Sequence, residues 1–163
     1  MSTRYFIKRH PFFIGRFEIR ETLDQVEPSF ISTRKMISLV NTVVIEDSFG
    51  VDLAQLRSKF LTLLPSFIVS LCDGTKFELN RLLLSNEDVR YEIVGEDWSD
   101  VEISGNFEAS DYSFIRNGIT FAKVSKSDKS SYLLEFEHSD SVQLPFVLAS
   151  MIGITMIGYD ISH

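Results

Sequence analysis

The chain contains a single cysteine, Cys72, so no intramolecular disulfide can form. The core must close by packing alone, and such cysteine usage fits a reducing, cytoplasmic setting. Histidine is scarce too, with only His10, His138 and His163. A structural zinc site of four nitrogen or sulfur ligands would consume all three histidines and Cys72, so no metal is expected. The sequence has no Gly-x-Gly-x-x-Gly, no Walker A loop and no Gly-x-Ser-x-Gly. The sequence signatures of dinucleotide binding, P-loop phosphoryl transfer and α/β-hydrolase chemistry are thus missing, and neither an enzyme nor a cofactor is expected. Met1 to Phe6 carry no continuous apolar run after the basic residue, so no secretory leader is expected there.

Phenylalanine, by contrast, is abundant, at 14 of 163 residues. Phe packs well on a pleated, half-buried surface and tilts the reading toward sheet. Two-residue alternation recurs along the chain. Phe17 and Ile19 alternate with Glu18 and Arg20, Phe77 and Leu79 with Glu78 and Asn80, and Leu134 and Phe136 with Glu135 and Glu137. Each run predicts a strand with one apolar and one wet face. About twelve such runs are expected, near residues 4–9, 13–20, 28–33, 38–46, 51–59, 66–72, 75–84, 88–94, 99–104, 111–116, 119–126 and 131–137. Asp73-Gly74 and Asn117-Gly118 are hairpin signals, with weaker breaks at Ser48–Gly50 and Ser104–Asn106. The segments around residues 44–54, 69–79 and 113–124 share one shape, a strand, a polar turn with Gly, and a second strand.

The C-terminal run differs. From Val142 to Tyr159 no residue is charged, and only Gln143, Ser150 and Thr155 are polar. Apolar side chains cover every face, so a helix here must be surrounded. A membrane could do that, but no Lys or Arg lies within ten residues of either end to orient a span. A closed sheet can do it too, because a barrel of about eleven strands has room for a central helix. The second environment is preferred. Asp140 or Ser141 would cap the helix, and Pro145 would fall in its first turn, where a missing N–H costs little. No linker divides the chain, so residues 1–163 read as a single domain with a helix over about 141–158.

These features carry a family resemblance. Arg4-Tyr5-Phe6-Ile7-Lys8, the Leu63-Leu64-Pro65 segment ending at Phe67, Gly105-Asn106-Phe107 with Asp111-Tyr112, Ala122 to Lys126, and the apolar run Leu144 to Ile157 together resemble the LURP-one-related (YxjI-like) proteins. Their fold is similar to the tubby C-terminal domain and the phospholipid scramblases. The chain departs from the family pattern at Ser127–Ser130 and in the glycine-free turn Glu21–Pro28. The resemblance implies a mainly β protein, a closed barrel of about twelve mostly antiparallel strands around a buried apolar C-terminal helix. The resemblance itself implies little chemistry. Tubby domains bind phosphoinositide headgroups and scramblases associate with membranes. By analogy with them, the leading expectation is a non-enzymatic binding module of unsettled role that meets phospholipid or phosphoinositide headgroups at a membrane surface. The rival expectation is a protein-interaction scaffold without lipid affinity.

The net charge of −7 disfavours nucleic acid as a partner. Yet residues 1–35 hold seven basic and four acidic side chains, whereas residues 86–111 hold nine acidic ones and only Arg90 as a base. Arg4, Lys8, Arg9 and Arg16 interleave with Tyr5, Phe6, Phe12 and Phe13. They are the candidate contacts to anionic lipid or phosphate, where cations meet phosphate and aromatics insert. The blander reading is a solvated strand face with the aromatics in the core. Arg34 and Lys35 join the patch only if the fold brings them near. Glu96–Asp100 lacks EF-hand spacing and reads as a charged turn anchored by Trp98. His138–Ser141 has triad residue types, but adjacency is not triad geometry, so it reads as a helix-entry turn. Cys72, beside Asp73, reads as a buried structural thiol.

Overall fold

The protein is described by a computed structural model over residues 3–37, 40–59, 65–83, 89–137 and 143–162. Twelve strands and one helix lie within these residues. The first half comprises β1 (Thr3–Arg9), β2 (Phe17–Arg20), β3 (Phe30–Ile37), β4 (Val40–Asp47), β5 (Asp52–Ser58) and β6 (Ser66–Leu71). The second comprises β7 (Lys76–Leu83), β8 (Val89–Val94), β9 (Val101–Asn106), β10 (Asp111–Arg116), β11 (Ile119–Lys126) and β12 (Ser131–Phe136), followed by α1 (Gln143–Ser162). All ladders are antiparallel. Apart from β8 and β9, strands consecutive in sequence are neighbours in the sheet, and β1 joins β12. The sheet edges β8 and β9 lie against each other without a ladder among the described residues, so the barrel is nearly closed.

Alternation explains the lumen. Tyr5, Ile7, Phe17, Ile19, Leu56, Val69, Leu79, Phe114 and Leu134 point inward and are buried. α1 fills the space between them. Phe146, Val147, Leu148, Ala149, Met151 and Ile152 are fully buried, as a helix apolar on all faces requires. Pro145 falls in its first turn, as expected, and the helix continues past Gly158 to Ser162. No helix among the described residues is long and apolar enough to cross a membrane. Strand exteriors carry charges such as Glu18, Lys35, Glu46, Glu78 and Glu92.

The hairpin signals are realised in two ways. At Asn117-Gly118 both residues take positive φ, 54° and 74°, which suits a two-residue turn between right-twisted strands. At Asp47–Val51 and Leu71–Thr75 only the glycine does, and the turns share a bonding scheme. Gly50 N donates to Asp47 O (3.1 Å) and Gly74 N to Leu71 O (3.0 Å), while Asp47 N and Leu71 N each reach the oxygen four residues on, at 2.9 Å. The repeat seen in the sequence is therefore a repeat of hairpins.

Three expectations are corrected. β2 begins at Phe17 rather than near residue 13, because His10–Arg16 forms a bonded loop. Ser104–Asn106 is no turn but the end of β9, and the chain reverses at 107–110. Cys72 is exposed. Leu71 is the last inward residue of β6, so alternation and the turn carry Cys72 outward. The Leu63-Leu64 pair and His138–Ser141 lie outside the described residues.

Candidate functional site

Antiparallel order sorts the connections onto two ends of the barrel. The β1–β2 loop, the β9–β10 turn and the β11–β12 turn share one end. The β2–β3 loop and the β4–β5, β6–β7, β8–β9 and β10–β11 connections share the other. α1 runs between them, with Phe146 against Phe77 and Trp98 at the second end, and Thr155 and Met156 beside Arg9, His10 and Gly15 at the first.

The His10–Arg16 loop is built from within. His10 N donates to Arg16 O (2.9 Å) and closes its neck. The imidazole Nδ1 of His10 accepts from Phe12 N (3.2 Å) and Phe13 N (3.3 Å). Buried Ser32 of β3 ties down the far limb, accepting from Phe17 N (2.9 Å) and donating to Gly15 O (2.8 Å). Gly15 has φ +82° and sits where a Cβ would stand 3.2 Å from Val43, 3.4 Å from Arg34 and 3.4 Å from Met156. Glycine thus lets the loop fold flat onto β3, β4 and α1.

So anchored, the loop holds its apolar tip in water. Phe12 is 86% exposed, Phe13 59% and Ile14 40%. For Phe12 and Phe13 this corrects the blander reading, which put the aromatics in the core; Tyr5 of β1 is buried there as that reading has it. Phe12, Phe13 and Ile14 line an open cleft of about 340 Å³ together with Arg16, Thr33 and Arg34. Arg34 Nε donates to Asn41 Oδ1 (3.3 Å). Arg16 Nε is buried without a hydrogen-bond partner among the described residues. A separate pocket between the loop, Thr155 and Met156 has room for about 10 Å³, no more than one water.

The four candidate cations do not form one patch. Arg4 lies toward the opposite end of β1, 3.5 Å from Glu135 of β12, its register partner. Lys8 is exposed on the outer face of β1, opposite Glu18 and Ser131. Arg9 points to the inner side at the barrel rim, half-buried, and donates a hydrogen bond to the Tyr132 hydroxyl. Burial pushes the Tyr132 phenol up, and Arg9 offsets part of that. Lys8, Arg9 and Arg16 therefore share the His10 end. Arg34 joins them through β3, while Lys35, the next residue, turns away to Glu46 (3.1 Å). The condition set for Arg34 is thus met and that for Lys35 is not, while Thr33 and Ile14 escape sequence reasoning because cross-strand packing, not spacing, brings them to the cleft.

The acidic turn is structural. Trp98 is buried, and Arg116 grips Asp100 with two bonds of 2.8 and 2.9 Å. That hydrogen bonding holds the Asp100 carboxyl below the usual carboxylate range. Among the described residues no group of three His, Cys, Asp or Glu side chains converges on a metal position.

No protein-family model matches the chain, and no curated protein matches it. Among solved structures, a protein from Arabidopsis thaliana, AT5G01750, aligns with a TM-score of 0.64 at 13% identity, covering 99% of this chain and 92% of that one. What the two share is the fold. At that identity the likeness extends over the whole barrel and helix and carries no residue role.

Proposed function

We propose that this chain is a non-enzymatic, tubby-like binding module of the LURP-one-related type that seats its His10–Arg16 end on anionic phospholipid at a cytoplasmic membrane surface. The observation that carries the reading is the cleft itself. Two guanidinium groups, Arg16 and Arg34, and the Thr33 hydroxyl flank a loop whose Phe12, Phe13 and Ile14 are held in water. Guanidinium groups match phosphate oxygens in geometry and charge. Apolar side chains on a rigid tip gain by entering the headgroup–acyl boundary, and each cation near an anionic surface adds about 1 kcal/mol. Lys8 and Arg9 lie at the same end and add to the attraction. The family resemblance points the same way by fold-level analogy.

Vesicle flotation tests it. Purified protein should float with phosphatidylserine- or phosphoinositide-containing vesicles and not with phosphatidylcholine alone, and rising salt should weaken the association. Arg16→Gln with Arg34→Gln, or Phe12→Ser with Phe13→Ser, should each abolish flotation. Arg4→Gln should leave it unchanged, because Arg4 lies at the other end. Absence of wild-type binding to every anionic vesicle overturns the reading.

A further inference from the structure

The opposite end of the barrel displays a second rigid apolar surface, of opposite charge. In the β2–β3 loop Leu23 is 79% and Val26 83% exposed, and in the β4–β5 turn Phe49 is 90% and Val51 58% exposed. The two segments adjoin, because Phe30, which ends the first, pairs with Asp47, which begins the second.

Neither segment is a loose connection. Arg20 reaches across the first, donating from Nε to Gln25 O (3.0 Å) and from Nη2 to Val26 O (3.2 Å). The Gln25 side chain accepts from Glu21 N (3.0 Å) and donates to Glu27 O (2.6 Å) and Ser29 Oγ (2.9 Å). These side-chain bonds replace the glycine that the turn lacks. In the second segment Asp47 Oδ1 accepts from both Phe49 N and Val51 N, each at 2.9 Å. Polar side chains are thus spent on fixing backbone, and the apolar ones are left outside. Exposed apolar clusters on preordered loops are the usual form of an interaction surface, since little entropy is lost when they are covered.

Charge identifies the kind of partner. Asp24 and Glu27 lie in the first segment and Asp52 directly follows the second, and all three are exposed and form no ion pair among the described residues. Arg20, the cation at the base of the first segment, is engaged by Glu18 at 3.0 Å. An anionic membrane is repelled by this rim, and so is the same face of a second copy.

We propose that this end docks a protein segment whose apolar side chains are flanked by Lys or Arg. The inference is independent of lipid binding at the His10 end, and it would give the module two differently addressed poles.

The experiment uses the full chain and two synthetic amphipathic peptides of one pattern, Leu/Lys and Leu/Glu, titrated while backbone amide NMR shifts are followed. The Leu/Lys peptide should cause saturable shifts in residues 21–29 and 47–52. Leu23→Ser combined with Phe49→Ser should weaken it by about tenfold or more, as for hot-spot residues. Both side chains are exposed, so the double variant should keep the wild-type melting temperature. The proposal is overturned if the Leu/Lys peptide leaves these amides unmoved, if the Leu/Glu peptide binds them as well, or if the double variant binds like wild type. A dimer in sedimentation that is lost in Phe49→Ser would assign the surface to self-association and also overturn it.

Discussion

The indole of Trp98 lies flat on the ring of Phe146, with centroids 4.2 Å apart and planes 11° from parallel. Trp98 comes from the β8–β9 connection and Phe146 from the first turns of α1, so this stack fastens the helix to the end of the barrel. Arg116 covers the outer face of the indole at 4.9 Å and is itself held by Asp100. Trp98→Ala should lower unfolding stability by about 3–5 kcal/mol, the range for truncating a buried large aromatic. Urea denaturation followed by circular dichroism measures this. A loss under 1 kcal/mol would mean that the stack does not anchor the helix.

Ile152 is fully buried at mid-helix. Ile152→Asp places an unpaired carboxylate among side chains that offer it nothing, a penalty comparable with the whole stability of a domain. No cooperative unfolding transition should be recoverable. A variant that melts cooperatively near the wild-type temperature would contradict a helix enclosed by sheet.

Tyr112 is wholly buried, and its hydroxyl has no hydrogen-bond partner among the described residues. Tyr112→Phe removes an unsatisfied group at nearly constant shape, so stability should hold or rise by about 1 kcal/mol. The same burial governs alkaline behaviour. It pushes the Tyr112 phenol well up, with Tyr91 and Tyr132 adding to the effect, and pushes Tyr91 up to about 12 despite Arg81. Unfolded tyrosine ionises near pH 10. The folded state favours the neutral phenols, so their contribution is intact below about pH 10 and is lost as pH rises toward 12. Tyrosinate absorbance should therefore rise together with loss of near-ultraviolet dichroism. Ionisation of Tyr91 and Tyr112 near pH 10 in a still-folded chain would refute this.

Two helix glycines should respond with opposite signs. A Cβ on Gly153 would stand 2.6 Å from Leu79 Cδ2 and 3.3 Å from Leu56 Cδ2, both in fully buried side chains, whereas one on Gly158 meets nothing within 4 Å. Gly158→Ala should stabilise by up to about 1 kcal/mol through helix propensity. Gly153→Val should destabilise by about 1–3 kcal/mol, because a β-branched side chain cannot turn away from the β5–β7 wall. Thermal melts of the two variants decide it. A Gly153→Val melting temperature at or above wild type would show that the helix does not press on Leu79.

Much of this barrel is legible in one dimension. β10 and β11 begin and end where alternation places them, because the pleat repeats every two residues and the adjoining Asn117-Gly118 permits positive φ. The enclosed helix is legible too, since no charge interrupts residues 142–159. The β1–β2 loop is not, because Phe13 and Ile14 look like the start of the next strand. What keeps them out of β2 is the cap that His10 makes with its own side chain and the tether from Ser32, a residue 17 positions beyond Gly15. Cys72 misleads for a related reason. Apolar neighbours suggest burial, but the turn at Gly74 ends the strand one residue earlier.

By itself the sequence determined the strand alternation, the hairpins and a helix that had to be surrounded, because these depend on local periodicity and on which residues tolerate a given φ. Only the tertiary structure decided which charges act together. Closing β1 against β12 set Arg4 against Glu135, far along the strand from Arg9, and pairing β2 with β3 brought Arg34 to Arg16. Electrostatic attraction depends on distance through space, and a barrel brings together residues that the chain keeps apart.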